Sequence, residues 1–402
     1  MEIRSITVFA QPGQPTPEMR AFLAAARNAY PYPVQTVRLA TPPFPDWWPH
    51  TADLHSTAQE LVRQWQEAGV NYISLGPVQL RHDTSWLDMI PALLGATDAL
   101  FATAEIADTK GQLDVGRCHH VARLILQISR ILDNGFGNLY FAALANCPPG
   151  SPFFPVAYHH STDAPAAFAI AVEAADLART AIQQARTLNE ARQNLVTAIE
   201  TAAAQITAVS RQLATTHQHR FAGIDFSLAP YPTDDKSIGG AFEDLGVPFT
   251  GASGSLFAAA FLTEAIQQAN FPRCGFSGLM LPVLEDSVLA RRAAEKRLSL
   301  PHLLSYAAVC GVGLDTIPLP GDVTADSVAA ILLDTAVLAT RLRKPLTARL
   351  MPLPGLTAND PVTFDFPYFA DSRVMSVEPE PKKGLLAEDT RLTIRPVYSR
   401  SE

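Results

Sequence analysis

The chain has no apolar run of the roughly 18 residues that a bilayer-spanning helix requires, so none is expected. It has no excess of positive charge, because its formal net charge is -8. Nucleic acid and anionic membrane surfaces both call for clustered Lys and Arg, so neither is expected as a partner. Cysteine is scarce, and Cys118, Cys147, Cys274 and Cys310 lie far apart with no CxxC pair. That excludes a disulfide scaffold and a zinc knuckle and makes the cytoplasm the expected location. No P-loop and no GxGxxG occurs, so nothing argues for ATP or a dinucleotide cofactor. Charged residues are also few, at 17% against 48% hydrophobic, which suits a compact globule rather than a disordered chain. The opening MEIRSITVFA mixes acid and base among β-formers and reads as a first strand, not a signal peptide.

What is present alternates. Short β-like runs occur at 3–10, 71–78, 99–106, 138–145, 221–228, 276–283, 309–318 and 346–353, with helical patterns at 51–68, 115–132, 256–270 and 325–342 between them. Alternation of this kind predicts parallel strands with crossover helices. The segment 164–216 has no glycine and, after Pro165, no proline. Leu195, Ile199, Ala202, Ile206, Val209 and Leu213 form a narrow apolar seam within it, so a long helix or helical pair is expected. The seam either lies on the body of the protein or serves self-association. Residues 1–377 read as one α/β domain. The stretch 378–402 begins as a linker, and its TRLTIRPVY suits a short edge strand.

Two apolar runs end on aspartate. Gly223-Ile224-Asp225 and Gly313-Leu314-Asp315 share a pattern, each with a proline soon after. Strand ends are where loops converge on ligands in α/β folds, so an aspartate there is well placed for a site. It is equally well placed to accept backbone N–H bonds in a turn. The glycine two residues earlier would permit close backbone approach.

These motifs, with FAALANCPPGSPFFPVAYHH, GLMLPVLED and KPLTARLMPLPG, resemble the domain of unknown function 711 family, also called uncharacterised protein family 0210. The resemblance implies a pyruvate formate-lyase-like α/β barrel of about ten strands in two parallel half-barrels. It implies no particular reaction. Glycyl-radical enzymes of that fold carry Arg-Val-x-Gly-aromatic near the C-terminus. Here Arg373 and Val374 are present, but Ser376 stands in place of the glycine, so radical chemistry of that type is excluded.

Several residues remain as candidates for chemistry. Asp225, Glu285, Asp286 and Asp315 are carboxylates at or just after apolar strands, suited to a divalent ion (Mg, Mn or Ca) or to divided acid and base roles. Glu285-Asp286 also opens a helical stretch, where acids favour the helix N-terminus. His159 follows a stiff proline-rich segment, and Cys310 precedes a glycine-rich strand; the first is a candidate catalytic group, the second a candidate nucleophile or simply a buried small side chain. Arg349 lies inside an apolar strand, where it needs a carboxylate or an anionic substrate, and Asn146 is a candidate pocket residue. The histidines of RCHH and HQH read as a solvated face. The function expected is a non-radical enzyme on a small anionic metabolite at the barrel mouth, with a metal as a candidate cofactor and a homo-oligomer as the expected state. The alternatives are a metabolite-binding or regulatory protein without turnover, and an assembly protein using the apolar seam.

Overall fold

The computed structural model describes residues 1–49, 53–160, 166–382 and 384–397. Thr51 and Ala52 of one expected helix, residues 164–165 of the expected helical segment, and Tyr398 of the expected edge strand lie outside them. The strands are β1 (Glu2–Phe9), β2 (Val34–Ala40), β3 (Tyr72–Val78), β4 (Leu100–Ala107), β5 (Gln112–Asp114), β6 (Phe141–Ala145), β7 (Ala167–Glu173), β8 (Arg220–Asp225), β9 (Gly313–Pro320) and β10 (Leu346–Leu353). Twelve α-helices accompany them among the described residues, and none is long and apolar enough to cross a membrane.

One large mixed sheet runs β8-β7-β1-β2-β3-β4-β6-β10-β9. β1, β2, β3, β4 and β6 are parallel to their neighbours in that run, as are β7 with β8 and β9 with β10. The two antiparallel joins are β1 with β7 and β6 with β10. The central strands are buried on both faces, as parallel strands are when helices cover them. β5 leaves the edge of β4 and pairs antiparallel with the short strand Arg391–Thr393.

Among the described residues the hydrogen-bonded ladder does not close. The stretch 276–283, expected as a strand, contributes only isolated parallel bridges, Leu279 with Leu228 and Pro282 with Asp315, and Arg273 just before it bridges Ile224. Gly278 and Pro282 interrupt it, and proline has no N–H for a ladder. Three of these strands, β2, β5 and β7, lie where none was expected, and β7 falls inside the segment expected to be helical throughout. Its sequence AFAIAVE contains no breaker, but a place between β1 and β8 overrides helix propensity.

The remainder of that segment is helical, as 175–183 and the 30-residue helix Leu188–His217, started by the Thr187 side chain capping Glu190 N–H. Its seam is buried: Leu195, Ile199, Ala202, Ile206 and Leu213 face inward. They pack towards helices Pro17–Arg27, Ala175–Gln183 and Ser255–Gln268. The seam is therefore internal packing, and the self-association surface read from it is corrected.

Candidate functional site

Charged side chains inside a two-sided buried sheet need a reason. Arg349 lies on β10 between Ala348 and Leu350, where the register against β9 shifts. Arg4 lies on β1 between Ile3 and Ser5, where the register against β7 shifts. Bulges of this kind re-aim a side chain. The two guanidinium groups converge on Glu285, which follows the irregular bridging segment. Arg349 Nη2 donates to Glu285 Oε1 at 2.9 Å, and Arg349 Nε donates to Asp315 Oδ1 at 2.5 Å. Arg4 Nη2 pairs with the other oxygen of Glu285. Both carboxylate partners, Glu285 and Asp315, are deeply buried, so these bonds form in a medium where charge is poorly screened.

The two carboxylates respond differently. Burial pushes Glu285 up, but the Arg4 and Arg349 charges outweigh it and hold the group below its ordinary value. For Asp315, burial raises the pKa, Arg349 offsets part of that, and the neighbouring Glu285 adds to the rise. Glu285 is the member that stays ionised, and Asp315 is the one that takes up a proton first.

A third guanidinium completes the cluster. Arg38 on β2 bonds through Nε to Thr36 Oγ1 at 2.8 Å and lies over the rings of Phe154 at 5.0 Å and Tyr72 at 5.9 Å. It forms no ion pair with any carboxylate among the described residues. Burial and the nearby Arg4 charge push its pKa down to about 9, so it is still a cation at neutral pH. Arg4, Arg38, Arg349 and Glu285 line a cavity of about 90 Å³ with Tyr72 and Tyr368. Phe101, Tyr140, Phe154 and Phe366 supply its apolar wall.

Phe154 reaches that wall by an unusual route. The chain after β6 folds back against the sheet, and Pro152 O accepts from Thr7 Oγ1 while Pro155 O accepts from Ser74 Oγ. The SPFFPVA stretch is thus clamped between β1 and β3 and delivers its aromatic tip to the arginines. Tyr158 Oη closes the excursion by donating to Cys147 O at 2.9 Å.

The structure brings Arg349, Glu285 and Asp315 together but places the other sequence candidates elsewhere. Asp225 is buried; it accepts from Phe276 and Ser277 N–H and from Ser227 Oγ, and so anchors the bridging segment to β8. Gly223 and Gly313, at φ +128° and +105°, give the close approaches expected of them: a Cβ would meet Pro272 O at 2.9 Å and Thr347 O at 2.4 Å. Asp286 caps helix Ser287–Ala294 and also accepts from Ser237 Oγ and the Ile238 and Gly239 N–H groups. Of the four carboxylates proposed as a metal set, Glu285 and Asp315 thus share the Arg349 network, while Asp225 and Asp286 belong to two others. No three His, Cys, Asp or Glu side chains among the described residues are grouped to hold a metal ion. Two of the four are consumed by backbone N–H groups, which is the physical reason they do not serve as one ligand set.

His159 is buried with Nε2 against Ala10 O, beyond the carboxyl end of β1, while Arg4 lies near that strand's start. Asn146 likewise follows β6, whereas cavity residues Leu139 and Tyr140 precede it. Neither reaches the arginine cavity. Cys310 is buried, and burial pushes its thiol up to about 11, so it is not an activated nucleophile. His119 and His120 pair with Asp326 and Asp88, and His219 packs on Phe22.

Arg4 and Arg38 escaped the sequence reading. The criterion that singled out Arg349, a cation inside an apolar strand, applies equally to Arg4 in EIRSITVF. Arg38 was hidden because β2 itself was not recognised.

Known proteins place the chain in a group. The model of the family described as Uncharacterised ACR (DUF711) matches residues 13–371. A UPF0210 protein of Pyrobaculum arsenaticum is 34% identical over 283 residues, covering 68% of this chain and 61% of that protein. The UPF0210 protein MK1214 of Methanopyrus kandleri is 29% identical over 317 residues, covering 75% and 69%. One from Lactiplantibacillus plantarum is 26% identical over 290 residues, covering 70% and 64%. The match thus spans 61–63% of the length of the three Pyrobaculum relatives. With the family model matching residues 13–371, most of the chain, the chain belongs to the DUF711 family of uncharacterised proteins.

Proposed function

We propose that this protein binds a small organic anion in the Arg4–Arg38–Arg349 cavity and acts on it as a non-radical enzyme. The observation that carries this reading is Arg38. Arg4 and Arg349 have their charges met by Glu285 and Asp315, and Arg38 forms no ion pair among the described residues; the cavity wall itself carries three guanidinium cations and one carboxylate, Glu285. Arg38 is half-buried, and a partly desolvated cation without a counter-charge is costly unless a ligand compensates it. Its Nη atoms offer the forked geometry that carboxylate and phosphate accept. The volume, about 90 Å³, suits an anion of a few heavy atoms, with the aromatic wall holding its apolar part.

Glu285 and Asp315, with pKa values moved in opposite directions, supply the pair of carboxyl states that acid–base chemistry needs. We read the sheet as the frame for this site. Counting the bridging segment as a tenth strand between β8 and β9 gives two sets of five parallel strands, which is the pyruvate formate-lyase-like barrel in an imperfectly hydrogen-bonded form. One mouth of that barrel would hold the arginines.

Titration calorimetry with acetate, lactate and inorganic phosphate tests the reading, followed by NMR of any bound organic anion over hours of incubation. Binding that Arg38→Gln abolishes, with conversion of the ligand, is the expected result. Binding without conversion favours the metabolite-binding alternative. Failure of all three anions to bind the natural protein overturns the anion site.

A further inference from the structure

The opposite ends of the same strands form a second cavity of about 360 Å³, lined in part by Gln79, Leu80, Glu105, Asp108, Thr109 and Tyr158. It lies where β3 and β4 end, the position at which parallel strands commonly present ligand sites. Its deep wall carries Glu105, which is only 7% exposed. One carboxylate oxygen, Oε2, accepts from Leu80 N–H at 2.8 Å. The other has no hydrogen-bond partner in the protein among the described residues.

The cations nearest Glu105 act on it only through space: Arg117, which has no carboxylate partner among the described residues, lowers its pKa by its charge alone, and Lys110 and His160 stand on the cavity wall. Arg81 pairs with Asp46 and bonds Gln79 Oε1. Arg117, itself buried, donates to the Gln79 and His82 carbonyls. His82 faces Asp46 through Nε2 and accepts Gln79 N–H at Nδ1. None of these, nor Lys110 at the rim, forms an ion pair with Glu105. Asp108, also on the cavity wall, adds a second negative charge. Burial pushes Glu105 up to about 7, with Asp108 adding to the rise and Leu80 N–H, Arg117 and Arg81 opposing it. The group is poised to ionise when a positive charge arrives.

We propose that this cavity is a second ligand site, which takes a small organic cation, such as an alkylammonium, with Glu105 as the counter-charge. One mouth then presents an unpaired arginine and the other an unpaired carboxylate. The two are linked by one chain excursion, with Phe154 at the first and Tyr158 at the second.

The test is calorimetry on the full chain with 1,4-diaminobutane and ethanolammonium, with 1,4-butanediol as the uncharged control. At least one amine should bind, and the diol should not. Glu105→Gln should weaken the amine at least ten-fold, and Arg38→Gln should leave it unchanged. Thr109→Trp, which fills the exposed rim, should also block binding and carries the test if Glu105→Gln fails to fold. The proposal is overturned if neither amine binds better than the diol. It is equally overturned if the folded Glu105 and Thr109 variants bind as the natural protein does, or if Arg38→Gln removes amine binding.

Discussion

Arg38→Met separates a cation kept for a ligand from one kept for the fold. In the free protein the substitution gives up the bond to Thr36 Oγ1, about 1 kcal/mol, and the ring contacts with Phe154 and Tyr72, about 1 kcal/mol together. It removes a desolvated charge with no carboxylate partner. Effective penalties for such ions are several kcal/mol; contact with the cavity reduces this to roughly 2–4 kcal/mol. The net expectation runs from no change to about 2 kcal/mol of added stability. Binding of acetate or phosphate should fall at least ten-fold, since a single charge-assisted bond is worth about 1.5–3 kcal/mol. Urea denaturation followed by tryptophan fluorescence gives the first quantity and calorimetry the second. A stability loss above about 1 kcal/mol would mean that Arg38 is satisfied by the fold, and the argument for an anion site would fail.

Four further outcomes are expected. Arg349→Met strands Asp315 and leaves Glu285 with Arg4 alone, so it should cost about 3–5 kcal/mol at neutral pH. The loss should shrink in acid as Asp315 takes up a proton, and a pH-independent loss would contradict the coupling. Asp225→Ala removes the acceptor for Phe276 N–H, Ser277 N–H and Ser227 Oγ and should cost about 2–4 kcal/mol in urea melts, with acetate affinity unchanged in the folded fraction. Glu105 contributes stability that is fully present below its ordinary value of 4.5 and is lost as pH rises through about 7. The difference between the natural protein and Glu105→Gln should therefore change by about 3 kcal/mol across that window, and a flat difference would refute it. Ile199→Asp buries an unpaired charge and should destabilise by about 3 kcal/mol or more. Light scattering should show no oligomer lost ahead of unfolding if the seam is internal.

The sequence by itself determined much of the frame. Strand and helix periods placed β1, β3, β4, β10 and helix Ala325–Leu342 almost to the residue, because long apolar periods bounded by turn residues leave little choice. Asp225 was visible as a strand-end carboxylate and Arg349 as a cation that must have a partner, but Asp315, also expected at a strand end, is the third residue of β9, which runs on through Pro320.

Tertiary structure decided what those groups do. Asp225 and Asp315 look alike in the chain, yet one is absorbed by N–H groups 51 and 52 residues away and the other by an arginine 34 residues away. Local pattern carries no signal for such partners, because a buried carboxylate takes whichever donors the fold brings to it. The same holds for β7, a helix-compatible sequence made a strand by its neighbours, and for Arg38, whose unpaired state exists only because Glu285 and Asp315 are already engaged by Arg4 and Arg349.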